Sequence, residues 1–167
     1  TDVRIPDSHR LGDVNQGWGV ALTTLMNERA SIGSGGGGSG GSYTKLSAML
    51  RHYGLEDEAS LRQQLMNIYA YGKMLGWSNQ RVMDGLKAGK TPGPEMSLSK
   101  MALTRQMQAT CNFVSDALES KLVVDTGEWG TFSWSGYVLG FPAMRIAGGS
   151  DEVMRNIVGE RVLGLPK

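Results

Sequence analysis

One long stretch of helical periodicity constrains the fold more than any other part of this 167-residue sequence. Over residues 58–88, the positions expected to face inward alternate four and three residues apart; they are Leu61, Leu65, Ile68, Gly72, Leu75, Asn79, Val82 and Leu86. This spacing is typical of a helix that packs nearly antiparallel against a neighbour in a bundle. We interpret Gly72 as a point of close helix approach and Asn79 as a solvated or hydrogen-bonded side chain. The stretch therefore predicts a helical bundle.

Further helices are predicted on both sides of this one. They cover residues 18–32, 43–53, 95–120 and 150–163. In the helix over residues 95–120, the positions expected to face inward are Leu103, Met107, Val114 and Leu118. Residues 131–147 are less regular, and Pro142 is predicted to break or restart any helix there because proline lacks an amide donor and clashes with the preceding turn.

The N-terminal residues predict a different kind of structure. Val3, Arg4 and Ile5 favour a short strand, and Pro6 with Asp7 favours a turn after it. Because a lone strand is unstable, we expect a sheet domain upstream, with residues 1–16 as the end of a β domain and a linker, and residues 17–167 as a helical bundle domain. The Gly/Ser run at residues 33–42 predicts a flexible loop, which the residues alone allow to be either a natural insertion or an engineered linker.

Composition and charge narrow the class of protein. The formal net charge of +1 provides no basic field of the kind that recruits nucleic acid. A single cysteine, Cys111, excludes an intrachain disulfide framework, and no apolar run reaches the roughly 18 residues of a membrane span. We therefore expect a cytoplasmic, soluble protein without a nucleic-acid partner or membrane span. The ten methionines and four tryptophans indicate an adaptable apolar interior or interface.

Few side chains offer acid–base or metal chemistry. Glu28 and Arg29 adjoin on an otherwise apolar helix, where they could form either a solvated pair or a catalytic carboxylate with its partner. His9 and His52 have no ligand partners at metal-site spacing, so we expect surface or turn roles for both. Cys111 lies in a predicted helix without an activating base, which favours a buried thiol over a nucleophile.

The C-terminal segment contains a candidate ligand-binding turn. Gly148 and Gly149 would let a ligand approach the backbone closely. Ser150 can cap the helix that follows, and Asp151 with Glu152 would favour its positive end. These features predict a binding site for an anion or a cofactor.

Both ends of the chain resemble acyl-CoA dehydrogenases. Val3-Arg4-Ile5-Pro6, Leu11-Gly12, Gly17-Trp18 and Glu28-Arg29 resemble the exit from that family's middle β domain into the first helix of its C-terminal bundle. Arg145-Ile146-Ala147-Gly148-Gly149-Ser150-Asp151-Glu152, through Leu165-Pro166, resembles the family's final flavin-side turn and helix. The resemblance implies an all-α fold: an up-and-down four-helix bundle with a short additional C-terminal helix and a remnant N-terminal strand.

The resemblance also implies an activity, the FAD-dependent α,β-dehydrogenation of an acyl-CoA thioester. In this reaction a carboxylate removes the α-proton, and the β-hydride goes to the flavin N5. In many members the base is the Glu of a Tyr-Glu-Gly-Thr turn near the C-terminus, where this chain has Gly148. In the isovaleryl and long-chain branches the base instead precedes an Arg on the first helix of the bundle, and Glu28 matches that position.

Site roles follow from the same resemblance. Glu28 is the implied catalytic base, Arg29 would orient Glu28 or bind the substrate, and Gly149 would approach the thioester or the flavin. Ser150, Asp151 and Glu152 match positions that touch FAD. Arg51, in Arg51-His52-Tyr53-Gly54, is a loose counterpart of an Arg-x-x-Phe-Gly segment that reaches the FAD of a neighbouring subunit.

The sequence departs from the family pattern in two respects. The Gln-x-x-Gly-Gly motif expected near residues 113–127 is absent, and the N-terminal helical domain and most of the β domain are not in this chain. We therefore expect partners: the missing N-terminal domains or a partner chain, an acyl-CoA substrate and an electron-transfer acceptor, in a homo- or hetero-oligomer. The fragment alone is expected to be inactive. The alternative is a non-catalytic bundle that serves as a subunit or assembly module of a heteromeric dehydrogenase.

Overall fold

The structure is a computed structural model that describes residues 2–33, 42–90, 93–125, 127 and 131–167. Its helices are α1 (Gly17–Gly33), α2 (Tyr43–His52), α3 (Ala59–Lys87), α4 (Met96–Leu118), α5 (Thr131–Ile146) and α6 (Asp151–Ile157). Short 3-10 turns cover Asp7–His9 and Glu119–Leu122, and a wider π-type turn, Val158–Val162, continues α6. The predicted all-α fold is confirmed. The predicted loop at residues 33–42 lies mostly outside the described residues.

The remnant strand predicted at the N-terminus is not observed. No strand is present in the described ranges, and the side chains of Val3 and Ile5 are exposed. A strand needs a paired neighbour to satisfy its backbone hydrogen bonds, and these helices offer none. Residues 2–6 consequently remain irregular up to the turn at Asp7–His9.

Helices α3 and α4 form an antiparallel pair. Gln64 near the start of α3 donates to Asp116 near the end of α4 (Nε2 to Oδ2, 2.9 Å), and Arg105 donates to Tyr71 further along (Nε to the hydroxyl, 3.4 Å). A Cβ placed on Gly72 would lie 2.9 Å from Nε2 of Gln106, so the helices approach closely there, as the sequence predicted. The two helices therefore pack along most of their length.

Helix α4 is the central element, because α1, α3, α5 and α6 all contact it. The main apolar core is formed by α2, α3, α4 and α5; it comprises Leu46, Met49, Leu50, Leu61, Leu65, Ile68, Phe113, Val114, Leu118 and Trp134. The predicted inward positions Val114 and Leu118 are buried, whereas Leu103 and Met107 are half-buried. Leu86, predicted to face inward, is exposed, because it borders an open groove that Leu98 and Val162 also line.

Helix α5 corrects the prediction of a break at Pro142, since it continues through that residue to Ile146. Proline removes the hydrogen bond to the carbonyl of Val138 and in a helix interior is unfavourable by about 3 kcal/mol. Trp134 and Phe141, which precede Pro142 in the same helix, are both buried, and their packing against the core stabilises α5 despite the lost bond. Tertiary packing here outweighs the local preference of proline.

Several large apolar side chains remain outside the core. On α1 these are Trp18, Leu22, Leu25 and Met26, and on α3 they include Met66, Met74 and Trp77. Met49, Met96, Met154 and Trp134 are buried. The methionines and tryptophans are thus divided between the core and an exposed apolar surface, and such a surface is typical of an interface with another protein segment.

Candidate functional site

The turn between α5 and α6, residues 147–150, is here called the glycine turn. Gly148 and Gly149 have positive φ values of 67° and 101°, a conformation that side-chain-bearing residues rarely adopt. The N–H of Gly149 donates to the carbonyl of Ile146 (3.1 Å). Ser150 is the N-cap of α6, and its Oγ accepts from the N–H of Val153 (3.4 Å), which confirms the predicted cap.

Asp151 follows the turn and lies in a buried polar cluster, the Asp151 network. Its Oδ1 accepts from Lys100 Nζ (3.0 Å) and from Thr104 Oγ1 (3.1 Å), both on α4. Its Oδ2 accepts from Arg145 Nε (2.8 Å) on α5. Asp151 is 7% exposed and Lys100 is 0% exposed, so this ion pair lies away from water. The network joins three helices at the base of the glycine turn.

The electrostatics of the network favour an ionised Asp151. Burial acts to raise the pKa of this carboxyl, but hydrogen bonds from Arg145 and Lys100, together with the charge of Lys100, outweigh burial and lower it. The hydrogen bond to Asp151 and the charge of its carboxylate raise the pKa of Arg145. Asp151 is therefore an anchoring anion rather than a group suited to accept a proton.

Glu152 has a different environment from its neighbour. Its side chain is exposed and pairs weakly with Arg155 (Oε1 to Nη1, 3.5 Å). Hydrogen bonds from its own backbone N–H and from Ser150 lower its pKa. Of the residues predicted to touch a cofactor after the turn, Glu152 is thus the accessible carboxylate, and Asp151 is turned into the protein.

The surface beside the glycine turn combines open backbone, apolar side chains and polar groups that could contact one edge of a flat ring system. Gly149 presents backbone without a side chain, and Ser150 is half-buried with its hydroxyl at the helix start. Two apolar side chains flank the turn and are open to contact, Ile146 at 71% and Val153 at 46% exposure. A cleft between α4 and α6 adjoins it; the cleft is lined by Met101, Thr104, Arg105, Gln108, Arg145, Asp151 and Arg155. These groups can bind one edge of such a ring but do not enclose it.

The other predicted site residues lie on different helices. Glu28 is on α1 with an exposed side chain, and the side chain of Arg29 lies outside the described part of the chain. Arg51 is exposed in the last turn of α2, where it lines a shallow groove with Tyr43, Glu56 and Arg62. The structure therefore groups Gly149, Ser150, Asp151 and Glu152, and α4 contacts both the helix of Glu28 and the helix that follows this group.

Lys100 and Thr104 are the residues that sequence reasoning missed. Ser97, Lys100 and Thr104 recur three and four positions apart on α4, and all three are buried. A polar row at helical spacing within an otherwise inward-facing helix was the available signal. The partners of that row, Arg145 and Asp151, are too far away in sequence to be identified by spacing.

The remaining candidates are possible metal ligands and the cysteine. Among the residues described, no group of three or more His, Cys, Asp and Glu side chains is positioned to hold a metal ion. Cys111 is buried, as predicted, and burial raises the pKa of its thiol to about 11. Such a thiol is a poor nucleophile at neutral pH. Within the same described ranges, no helix is both long and apolar enough to cross a membrane.

Comparison with known families gives a match over most of the chain. The sequence model described as "Acyl-CoA dehydrogenase, C-terminal domain" matches residues 15–163. Acyl-CoA dehydrogenase FadE34 of Mycobacterium tuberculosis is 26% identical over 166 residues, which are 99% of this chain and 22% of that protein. Acyl-CoA dehydrogenase IpdE1 of Mycolicibacterium smegmatis is also 26% identical, over 99% of this chain and 41% of that protein. The chain thus spans less than half the length of these relatives.

Solved structures share the arrangement of helices. The protein titled "Tcur3481-Tcur3483 steroid ACAD" superposes with a TM-score of 0.85 at 21% identity, over all of this chain and 44% of that one. The ChsE4-ChsE5 complex from Mycobacterium tuberculosis gives a TM-score of 0.69 at 19% identity, over all of this chain and 45% of that one. At these identities the likeness establishes the fold alone.

Proposed function

This chain belongs to the acyl-CoA dehydrogenase family, and from that premise we propose that it is the C-terminal helical domain of an FAD-dependent enzyme that oxidises acyl-CoA thioesters. The observation that best supports this activity is the glycine turn, with its two positive-φ glycines, its capped helix and its exposed apolar flanks. The rest of the active site would come from the remainder of a longer chain or from a partner chain.

The glycine turn is proposed to bind one edge of the flavin. Bound FAD supplies the acceptor for the hydride that leaves the β-carbon of the substrate. The backbone at Gly149 would allow close approach, and Ile146 with Val153 would cover apolar ring surface and exclude water from it. Ser150 and Glu152 offer a hydroxyl and an exposed carboxylate for polar contacts.

Glu28 is proposed as the base that takes the α-proton onto a carboxylate oxygen. Its exposed side chain lies one helical turn after Leu25, beside the apolar surface that Trp18 and Leu22 also form on α1. An acyl chain lying along that surface would bring its α-carbon towards a carboxylate at the edge of an apolar region. Gly148 has no side chain, so the turn itself offers no carboxylate at that position. Arg29, the next residue on α1, is proposed to orient Glu28 or to bind the thioester.

A charge-neutral substitution at Glu28 tests this assignment in the full-length parent, purified with any chain that accompanies it. Glu28→Gln should lower kcat by about 10²–10⁴-fold, because general base catalysis is lost, while flavin absorbance is retained. Glu58→Gln is the matched control, since Glu58 is an exposed residue before α3 whose side chain makes no capping bond. Unchanged turnover of Glu28→Gln would remove Glu28 from the mechanism.

A second candidate function is a non-catalytic subunit of a heteromeric dehydrogenase. It is favoured by the names of the two similar structures, each of which combines two proteins, and by the exposed apolar side chains of α1 and α3. In that case the chain would support a catalytic partner, and Arg51, exposed in the last turn of α2, is a proposed contact towards that partner's FAD. Native mass spectrometry of the purified protein, with flavin absorbance recorded in parallel, separates the two. A stable complex whose turnover is unchanged by Glu28→Gln supports the non-catalytic subunit. An active complex whose turnover depends on Glu28 supports the catalytic domain.

A further inference from the structure

The buried ammonium of Lys100 connects the two ends of the glycine turn. Its Nζ donates to the carbonyl of Arg145 (3.1 Å), in the last turn of α5, and to Asp151 Oδ1 (3.0 Å), in the first residue of α6. One side chain from α4 therefore binds the backbone just before the turn and the side chain of the residue just after it. We infer that Lys100 and Asp151 are positioning residues. Their buried ion pair fixes the glycine turn against α4 and so fixes the flavin contact; this inference rests on the proposed function.

A stabilising role alone does not explain this pair. Removing a lysine and an aspartate from water is unfavourable, and buried ion pairs can often be replaced by uncharged residues of similar volume without loss of stability. What distinguishes this pair is that its hydrogen bonds point to different helices. The ammonium has its donors aimed at two acceptors on different helices, and the carboxylate accepts from α4 through one oxygen and from Arg145 of α5 through the other.

The glycine turn needs such a restraint. Gly148 and Gly149 are consecutive residues in left-handed conformations, and glycine has more conformational freedom to lose than any other residue. The proposed flavin contact depends on where this backbone and the neighbouring Ile146 and Val153 lie. A displacement of about 1 Å at such a position can lower the rate about 100-fold, even when it originates away from the reacting atoms.

Lys100 allows a test in which direct contact with a ligand is excluded, since its side chain is 0% exposed. The variants are Lys100→Met and the neutral pair Lys100→Met/Asp151→Asn, made in the full-length, FAD-loaded protein with its partner chain. Lys100→Met leaves the buried carboxylate of Asp151 with the partly exposed Arg145 as its one cationic partner among the described residues and should lower Tm, whereas the neutral pair should recover most of that loss. Both variants should raise the Kd for FAD at least about tenfold. Amide hydrogen exchange in a peptide covering residues 146–152 should be faster in both.

Val114→Ala is the control for simple loss of stability. Val114 is a fully buried core residue of α4, and its truncation should lower Tm without changing the FAD affinity or the exchange at residues 146–152. The inference is overturned if the neutral pair binds FAD and exchanges its turn amides as the unmodified protein does. It is also overturned if Val114→Ala produces the same changes as Lys100→Met at equal Tm. If the unmodified parent binds no FAD, the proposed function fails, and the exchange measurement alone still decides whether Lys100 restrains the turn.

Discussion

Replacing Gly149 with alanine should destabilise the domain, because Gly149 has a φ of 101°. Residues with a Cβ are strained in this region by about 1–3 kcal/mol. In a domain of this size, each kcal/mol changes Tm by about 2–4 °C. Gly149→Ala should therefore lower Tm by about 2–12 °C.

The same substitution at Gly76 is the matched control. Gly76 lies inside α3, and a Cβ placed there would meet nothing within 4 Å. Alanine in a helix interior is about 1 kcal/mol more favourable than glycine, so Gly76→Ala should raise Tm by about 2–4 °C. The two variants differ from the wild type by the same methyl group and should change stability in opposite directions.

Thermal unfolding followed by circular dichroism, on both variants and the wild type under one buffer condition, measures this difference. A Gly149→Ala variant as stable as the wild type would show that the turn relaxes into an ordinary conformation. The reasoning about a strained, fixed turn would then be refuted. A drop in Tm for Gly76→Ala would instead refute the statement that α3 is unobstructed at that position.

Two further predictions concern titratable groups. Because the pKa of Asp151 is lowered from its ordinary value of 3.8, its ionised form stabilises the fold fully above that value, and this contribution is lost as the pH falls through 3.8 towards the lower folded pKa. Asp151→Asn should flatten the fall of Tm with pH below about pH 5, and an unchanged acid profile would contradict the network. Burial raises the pKa of Cys111 to about 11, so iodoacetamide at pH 8 should label the folded chain about 100-fold more slowly than the urea-unfolded chain. Rapid labelling of the folded protein would show that this side of α4 is open.

The helical periodicity sustained over residues 58–88 predicted the fold well. The predicted helix over residues 58–88 is observed as Ala59–Lys87, because inward positions three and four residues apart leave few other ways to bury the same side chains. Pro142 and the remnant strand were predicted wrongly, since both outcomes depend on partners elsewhere. Buried Phe141 and Trp134 hold α5 together, and no strand is available to pair with residues 3–5 in the described chain.

The candidate site was predictable only in its local part. The glycine turn and the Ser150 cap follow from neighbouring residues, because both depend on backbone freedom and a nearby side-chain oxygen. The pairing of Lys100 with Asp151 spans 51 positions, and no periodicity encodes it. The roles of Glu28 and Arg51 remain predictions, because both side chains are exposed and no contact in the described residues tests either role.

The central position of α4 has a consequence for how the proposed chemistry tolerates sequence change. The helix that carries Glu28 and the helix after the glycine turn both rest on α4. The distance between them is therefore set by how each helix packs on α4, and not by the connecting segments. Insertions between α1 and α2, where the Gly/Ser-rich residues lie, can lengthen the chain without altering that distance. A larger residue on α4 at either contact would displace the helix that packs there.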